Sequence, residues 1–377
     1  MKVIHIISGG DSGGAKTHLI ALTKELIKEI DMKIVCFIEG DFYLEAKKLG
    51  LPVVLIKQNK RTDAIFSNKL VEFLEKEKPD VVHAHGARAN FTVFLKSKKI
   101  AAPKITTVHS DYRLDFKDNL YKHIVFTLLN KISLGSFDYY IGVSPEFKKM
   151  LMERGYKEEK IYTTFNGVDF NEKLEILDKK EFAKKYNLDI PKDKIICGNL
   201  SRLELVKGVD VFLKGAAESL KENPNLHFII AGDGTQRENL ENLAKSLNIQ
   251  DNVTFLGFIT DVTSFLNYID INAITSHSES FTYSLLEGAR QKKASIASNV
   301  GGLPYLIKNN ETGLLFDDED IEGLKNAILT YANDERKRKE LANNLYEFAK
   351  ENFSTEAMKN KHLEIYSEVI KRGYKKW

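Results

Sequence analysis

The feature that most constrains this chain is the succession of short, β-branched apolar runs and longer helical patterns, repeated through both halves of the sequence. Runs such as KVIHII, KIVCFI and LHFIIA carry apolar residues at consecutive positions, so both faces of each strand would be covered. That is the pattern of a parallel sheet between two layers of helices. Candidate strands lie at 2–7, 33–38, 52–56, 80–84, 104–108, 138–143 and 161–165. A second set follows at 194–198, 226–231, 253–256, 270–274, 294–298 and 313–316. Strand and helix in alternation predict α/β architecture, and the repeated plan predicts two doubly wound domains. A length of 377 residues with 43% hydrophobic content is enough for two cores of ordinary size.

The expected division is a first domain over 1–170, a linker over 171–192, a second domain over 193–355 and a terminal helix, 356–377, folding back onto the first domain. The linker is rich in charged residues and leucines, closes on Ile190, Pro191 and Lys192, and is expected to include one helix. The helical region after the last strand is interrupted near Asn352, where Ser354 or Thr355 would cap a new helix. Open α/β sheets bind ligands at the carboxyl ends of their strands. Function is therefore expected in the strand-to-helix loops.

Charge and cysteine content exclude several classes. The 56 basic and 53 acidic residues leave a formal charge of +3, which argues against nucleic-acid binding driven by overall charge. Cys36 and Cys197 each sit inside an apolar run, so two buried thiols in a reducing compartment are expected, without a disulfide. The opening MKVIHIISGG reads as a first strand rather than a signal peptide. No apolar stretch approaches the roughly 18 to 20 residues that cross a bilayer. The expectation is a cytoplasmic protein, free or resting on a membrane surface.

The most informative segment is SHSESFTYSLLEGAR, residues 276–290. Leu285, Leu286 and Ala289 give an apolar face and Ser278 or Ser280 a cap, so a helix is expected from about Phe281. Eight residues at about 1.5 Å each would set Glu279 and Glu287 roughly 12 Å apart, the scale of a nucleotide sugar. A glycosidase pair stands closer, about 5 to 9.5 Å. A diphosphate would lie at the helix start, over Ser280, Phe281 and Thr282, with Glu279 facing a sugar hydroxyl and Glu287 accepting from a ribose. The same spacing also fits two solvated glutamates. In NLSRLELVKGVD, Arg202 and Lys207 fall between a strand and a helix, where two cations can grip two phosphates. A surface ion pair to Glu204 is the plainer alternative.

Near the start, SGGDSGGAKTHL joins the first strand to a helix, and Gly13 and Gly14 let backbone approach a phosphate or sugar. The spacing matches neither the dinucleotide fingerprint nor a P-loop, so a simple tight turn is equally compatible. His109 follows a strand in ITTVHSD and is placed to touch a donor sugar. His83 and His85, in VVHAHG, hint at a metal, but no further ligands follow at suitable spacing, so lining of an acceptor cleft is preferred and no metal site is expected. The acidic run Asp317, Asp318, Glu319, Asp320 precedes a helix and reads as favourable charge at its start.

Taken in order, Gly13 and Gly14, DVVHAHG, TVHSD, VSPEF, FNGVD, SRLELVKG, AGDG, FLGF and the pair Glu279 and Glu287 resemble the family 4 retaining glycosyltransferases over nearly the whole chain. The resemblance implies a GT-B fold, two Rossmann-like domains facing each other across a cleft. It implies that Arg202 and Lys207 bind the donor diphosphate, Glu287 the ribose and Glu279 the donor hexose. His109 and the Gly13–Gly14 loop would touch sugar or phosphate, and backbone near Phe258 the base. It further implies a UDP-sugar co-substrate, no cofactor or metal, retention at the anomeric carbon, and a glycan or lipid-linked acceptor in surface polysaccharide assembly. Thr282 stands where the family often has glycine, which bears on the sugar pocket. Arg290, after the second glutamate, is expected to reach acceptor or solvent.

Two rival functions fit the same fold: a UDP-sugar epimerase, and a non-catalytic nucleotide- or glycan-binding protein. Peripheral contact with an anionic membrane is a separate expectation. It rests on amphipathic runs at 91–99 and 118–134 with Lys96, Lys98, Lys99, Lys122 and Lys131. Ordinary core-facing helices with solvated lysines read the same way.

Overall fold

The computed structural model describes residues 1–11, 14–58, 64–109, 120–279 and 281–373, and of residues 64–67, 120–123 and 126 the backbone alone. The chain forms two compact units, Met1–Gly167 with Thr355–Trp377, and Val168–Ser354.

The first unit is a parallel sheet of β1 (Lys2–Ile7), β2 (Asp31–Cys36), β3 (Val53–Leu55), β4 (Val81–His85), β5 (Lys104–Val108), β6 (Tyr139–Gly142) and β7 (Ile161–Thr163). Its order is β3-β2-β1-β4-β5-β6-β7. Around it lie α1 (Gly14–Leu26), α2 (Asp41–Lys48), α3 (Ala64–Glu77), α4 (Gly86–Leu95), α5 (Leu120–Leu134) and α6 (Pro145–Glu153). The second unit is a parallel sheet of β8 (Ile195–Leu200), β9 (Leu226–Ala231), β10 (Val253–Gly257), β11 (Ile271–Ile274), β12 (Ala294–Ser298) and β13 (Leu314–Phe316), in the order β10-β9-β8-β11-β12-β13. Its helices are α7 (Lys179–Lys185), α8 (Val209–Glu222), α9 (Arg237–Ser246), α10 (Val262–Tyr268), α11 (Tyr283–Arg290), α12 (Leu303–Leu306), α13 (Ile321–Asn333) and α14 (Glu335–Asn352). The last helix, α15 (Thr355–Arg372), belongs to the first unit and packs beside α1.

Both sheets reverse direction of growth next to their first strand, between β1 and β4 and between β8 and β11. These are the switch points at which doubly wound sheets open a crevice. The alternation in sequence thus produced two Rossmann-like units, with each predicted strand present. The reason is burial on both faces. In the first unit Val3, Ile7 and Ile34 pack with α1 and α15, while Ile4, Ile6 and Val35 pack on the opposite side with Leu70 of α3 and Val93 of α4.

The segment 171–192 is less of a tether than its charge implies. Asp178 and Glu181 form a reciprocal cap on α7. Phe182 of that helix is fully buried against Phe265 and Tyr268, so the segment contributes to the core of the second unit. Cys36 and Cys197 are both free and buried, and burial pushes the Cys36 thiol up to about 12, away from reactivity.

Candidate functional site

At the carboxyl edge of the second sheet, the loop after β8 carries Arg202 and Lys207 and the loop after β11 carries Glu279. Lys207 Nζ meets Glu279 Oε2 at 2.5 Å, and the Ser276 hydroxyl donates to the same oxygen at 3.3 Å. Two close approaches hold this pair in place. Gly208 follows Lys207 at φ +57°, and a Cβ there would lie 2.0 Å from the Thr275 carbonyl oxygen. Gly301 sits at φ +52°, and its Cβ would lie 1.8 Å from the Glu279 carbonyl oxygen, which accepts from the Gly302 amide. Only glycine fits either position, so the backbones of three loops lie directly against one another.

Arg202 is exposed and, among the described residues, enters no ion pair. The expected alternative partner, Glu204, is occupied elsewhere: its carboxylate accepts from the Thr235 hydroxyl at 2.7 Å and the Thr235 amide at 3.3 Å. Those bonds hold its carboxyl below the usual range. Phe258, just after β10, is 77% exposed, an apolar ring left in water at the same edge.

The helix of the SHSESFTYSLLEGAR segment begins later than its sequence implies. It opens at Tyr283, with Thr282 in the N-cap position making no side-chain cap and pairing instead with the Ser284 hydroxyl at 2.9 Å. Ser280 lies outside the described residues. Phe281 is buried against Phe353, so it packs the unit rather than presenting its ring. Glu279 consequently precedes the helix, and the 12 Å separation reckoned from helical rise does not apply. Glu287 lies on α11, where burial raises its carboxyl above the ordinary value. Arg290 is engaged within its own unit: it donates to the Asp169 carbonyl at 3.1 Å and to Glu172 at 2.7 Å. The segment 169–172 lies close enough in the fold to capture it.

Of the acidic run, Asp320 caps α13 by accepting from the Gly323 amide at 2.9 Å, as charge at a helix start predicts. Asp318 accepts from His277 at 2.7 Å and Asp317 from Asn299 at 3.2 Å.

The corresponding edge of the first unit is built differently. Gly14 opens α1, and a Cβ there would meet nothing within 4 Å, so packing does not demand glycine; Gly13 lies outside the described residues. His109 follows β5, half-buried, with its ring 5.0 Å from His18 and 5.7 Å from His85. His83 and His85 share one face of β4 because strand side chains alternate, and His5 stands beside His83 in register on β1. His83 is fully buried: its Nδ1 bonds the Tyr366 hydroxyl and its Nε2 the Thr107 hydroxyl, both at 2.7 Å. It therefore has no surface in this unit with which to line a cleft. His85 is buried likewise, pairing with His5 at 2.9 Å.

His5, His18, His362 and Tyr366 escaped sequence reasoning. The first two stand alone in apolar segments, and the last two sit far away on α15, four residues apart and so on one helical face. Burial keeps all these rings neutral, lowering His18 to about 4 and His362 to about 3.

Residues 179–348 match the model of the glycosyl transferases group 1, and residues 12–172 that of glycosyltransferase family 4. An O-antigen biosynthesis glycosyltransferase of Escherichia coli, WclY, is 25% identical over 98% of this chain and 99% of its own length. A Campylobacter jejuni α-1,4-N-acetyl-D-galactosaminyltransferase, named for a diNAcBac-PP-undecaprenol-linked acceptor, is 27% identical over 98% and 99%. Among solved structures, Anabaena Alr3699/HepE in complex with UDP superposes with a TM-score of 0.82 at 21% identity, over 98% of this chain and all of that one.

Proposed function

Because the chain belongs to the group 1 and family 4 glycosyltransferases of GT-B fold, we propose that it moves a hexose or N-acetylhexosamine from a UDP-sugar to a glycan or lipid-linked acceptor, with retention and without a metal, in surface polysaccharide assembly. The observation that carries this reading is the Lys207–Glu279 pair, held by Gly208 and Gly301 at the carboxyl edge of the second sheet with exposed Arg202 in the same loop as Lys207.

A partly buried ammonium and carboxylate in contact neutralise each other until a ligand divides them. A donor diphosphate takes the Lys207 ammonium and the Arg202 guanidinium, and Glu279 is released to accept from sugar hydroxyls. Glu287 accepts from the ribose hydroxyls, and Phe258 offers its exposed ring and backbone to the base. As the bond from C1 to the β-phosphate oxygen lengthens, charge gathers on the departing diphosphate, where two fixed cations stabilise it. The acceptor hydroxyl bonds C1 on the same face and passes its proton to the leaving phosphate oxygen, giving glycosylated acceptor and UDP. By the family resemblance, His109 and the Gly13–Gly14 loop are assigned to contact with sugar or phosphate. The UDP bound by the Anabaena protein and the lipid-linked acceptor named for the Campylobacter enzyme support the choice of donor and acceptor.

A thermal-shift screen with UDP-, GDP- and ADP-sugars tests the donor: UDP compounds should stabilise the protein most, by mass action. A clear preference for GDP compounds overturns the UDP assignment. Chromatography of the incubated donor should show free UDP, and a new UDP-sugar without acceptor would instead make the protein an epimerase.

A lipid-linked acceptor also calls for a membrane surface. On α5, Ile124, Leu128 and Ile132 are 57%, 55% and 45% exposed at four-residue spacing, a single apolar stripe beside exposed Lys131. Leu95, Lys98 and Lys99 are exposed at the end of the adjoining α4 and just beyond it. No helix among the described residues is long and apolar enough to cross a bilayer, whereas this face suits the interface of an anionic one. Leu128→Asp should abolish sedimentation with anionic liposomes; binding indifferent to lipid charge would remove the idea.

A further inference from the structure

We propose that the first unit binds a late first-row divalent cation, Zn2+ in the first instance, on His18, His85 and His109. One nitrogen from each ring lies within 4.8 Å of the others. The tautomer of His18 is set by its surroundings: Nδ1–H donates to Asn166 Oδ1 at 2.9 Å, which leaves Nε2 a bare lone pair. That Nε2 is buried and has no partner among the described residues. An imidazole anchored through one nitrogen to an oxygen acceptor, with the other bare, is how proteins present histidine to metals.

The other two ligands face each other. His85 Nδ1 and His109 Nε2 are 3.4 Å apart, long for a hydrogen bond. Two nitrogens bound tetrahedrally at about 2.0 to 2.1 Å from one ion would be separated by roughly 3.3 to 3.4 Å. His85 is oriented by its Nε2 bond to His5, which in turn meets the Tyr366 hydroxyl at 3.2 Å. Burial already holds all three rings neutral, so an ion displaces no imidazole charge; His109 needs only to carry its proton on Nδ1. His109, the least buried of the three, offers the way in.

The neighbouring trio His5, His83 and His85 also gathers within the same distance, but its rings are already engaged with Tyr366, Thr107 and one another. Binding there would break bonds, whereas binding at His18 satisfies an orphaned atom. A set of imidazoles alone selects Zn2+, Cu2+ or Ni2+ over Mg2+ and Ca2+. The ion would occupy the His109 nitrogen that meets the donor sugar, so it should inhibit transfer; this consequence alone rests on the proposed function.

Co2+ titration of the full-length protein tests the site. One equivalent should raise the visible absorption of a tetrahedral nitrogen site, and Zn2+ should bleach it. His18→Gln, with fold checked by circular dichroism, should weaken binding at least tenfold, and His277→Ala, which alters the exposed His277–Asp318 pair in the second unit, should not. No visible band, or a band unchanged in His18→Gln, overturns the site. X-ray absorption on the Zn2+-loaded wild type needs no variant: three imidazole nitrogens near 2.0 Å support the assignment, and a shell dominated by carboxylate oxygens overturns it. Co2+ binding with undiminished transfer upholds the site and overturns the placing of His109 at the donor.

Discussion

The two units share a strand order around β1 and β8, yet their carboxyl edges carry opposite chemistry. In the second, Arg202, Lys207 and Glu279 bring formal charge to short loops closed by glycine contacts, and Glu287 follows on α11. In the first, the same region holds His5, His18, His83, His85, His109 and His362, all neutral, around the hydroxyls of Tyr366 and Thr107. The contrast teaches that a doubly wound sheet supplies a place for chemistry without choosing it. Charges at the second edge remain near solvent, where a diphosphate can claim them. The histidines of the first lie in a core, where burial removes their charge and series hydrogen bonds satisfy most of their nitrogens.

The largest effect should come from acid. These folded-state values lie below the ~6.5 of a free ring, so below that pH the unfolded chain binds more protons. Stability is full above about 6.5 and is lost as pH falls towards the folded values. For His18, at about 4 when folded, the loss at pH 5 is about 2 kcal/mol, and the other buried rings add in the same direction. Hydrogen exchange at pH 5 against pH 7 should show β1, β4 and β5 losing protection well before β8, β9 and β11. Equal loss in both units would erase the contrast.

Next is Lys207→Ala, which removes a fixed cation from the departing diphosphate and leaves Glu279 unneutralised. Transfer should fall about 100- to 1,000-fold in kcat/KM, on the scale of a lost oxyanion donor, with circular dichroism unchanged. Turnover at the wild-type level would revive a non-catalytic binding protein.

Smallest is Glu287→Gln, where function and stability should part. Burial raises the Glu287 carboxyl, so its ionisation costs stability as pH rises through that value; glutamine removes the cost. The thermal midpoint of the ligand-free variant should rise at pH 8, while UDP affinity by calorimetry falls about tenfold through the lost charged acceptor. A variant both destabilised and unimpaired in UDP binding would place Glu287 in the structure alone.

The first sheet strand, KVIHII, illustrates what reading residues accomplishes: an unbroken apolar run must be covered on both sides, and one of its neighbours is bound to be parallel because a helix intervenes. Lys207 and Glu279 were likewise visible as chemistry, since cations and carboxylates in strand-to-helix loops have little reason to be in a core. Local rules of period, capping and burial reach that far, because they act between residues a few positions apart. The contact between those two side chains spans 72 positions, the capture of Arg290 by Asp169 and Glu172 spans more than a hundred, and Tyr366 approaches His5 across 361. No spacing encodes such meetings; they follow from which helix covers which face once both sheets are packed, and that packing turned an expected cleft-lining pair, His83 and His85, into the buried floor of a histidine cluster.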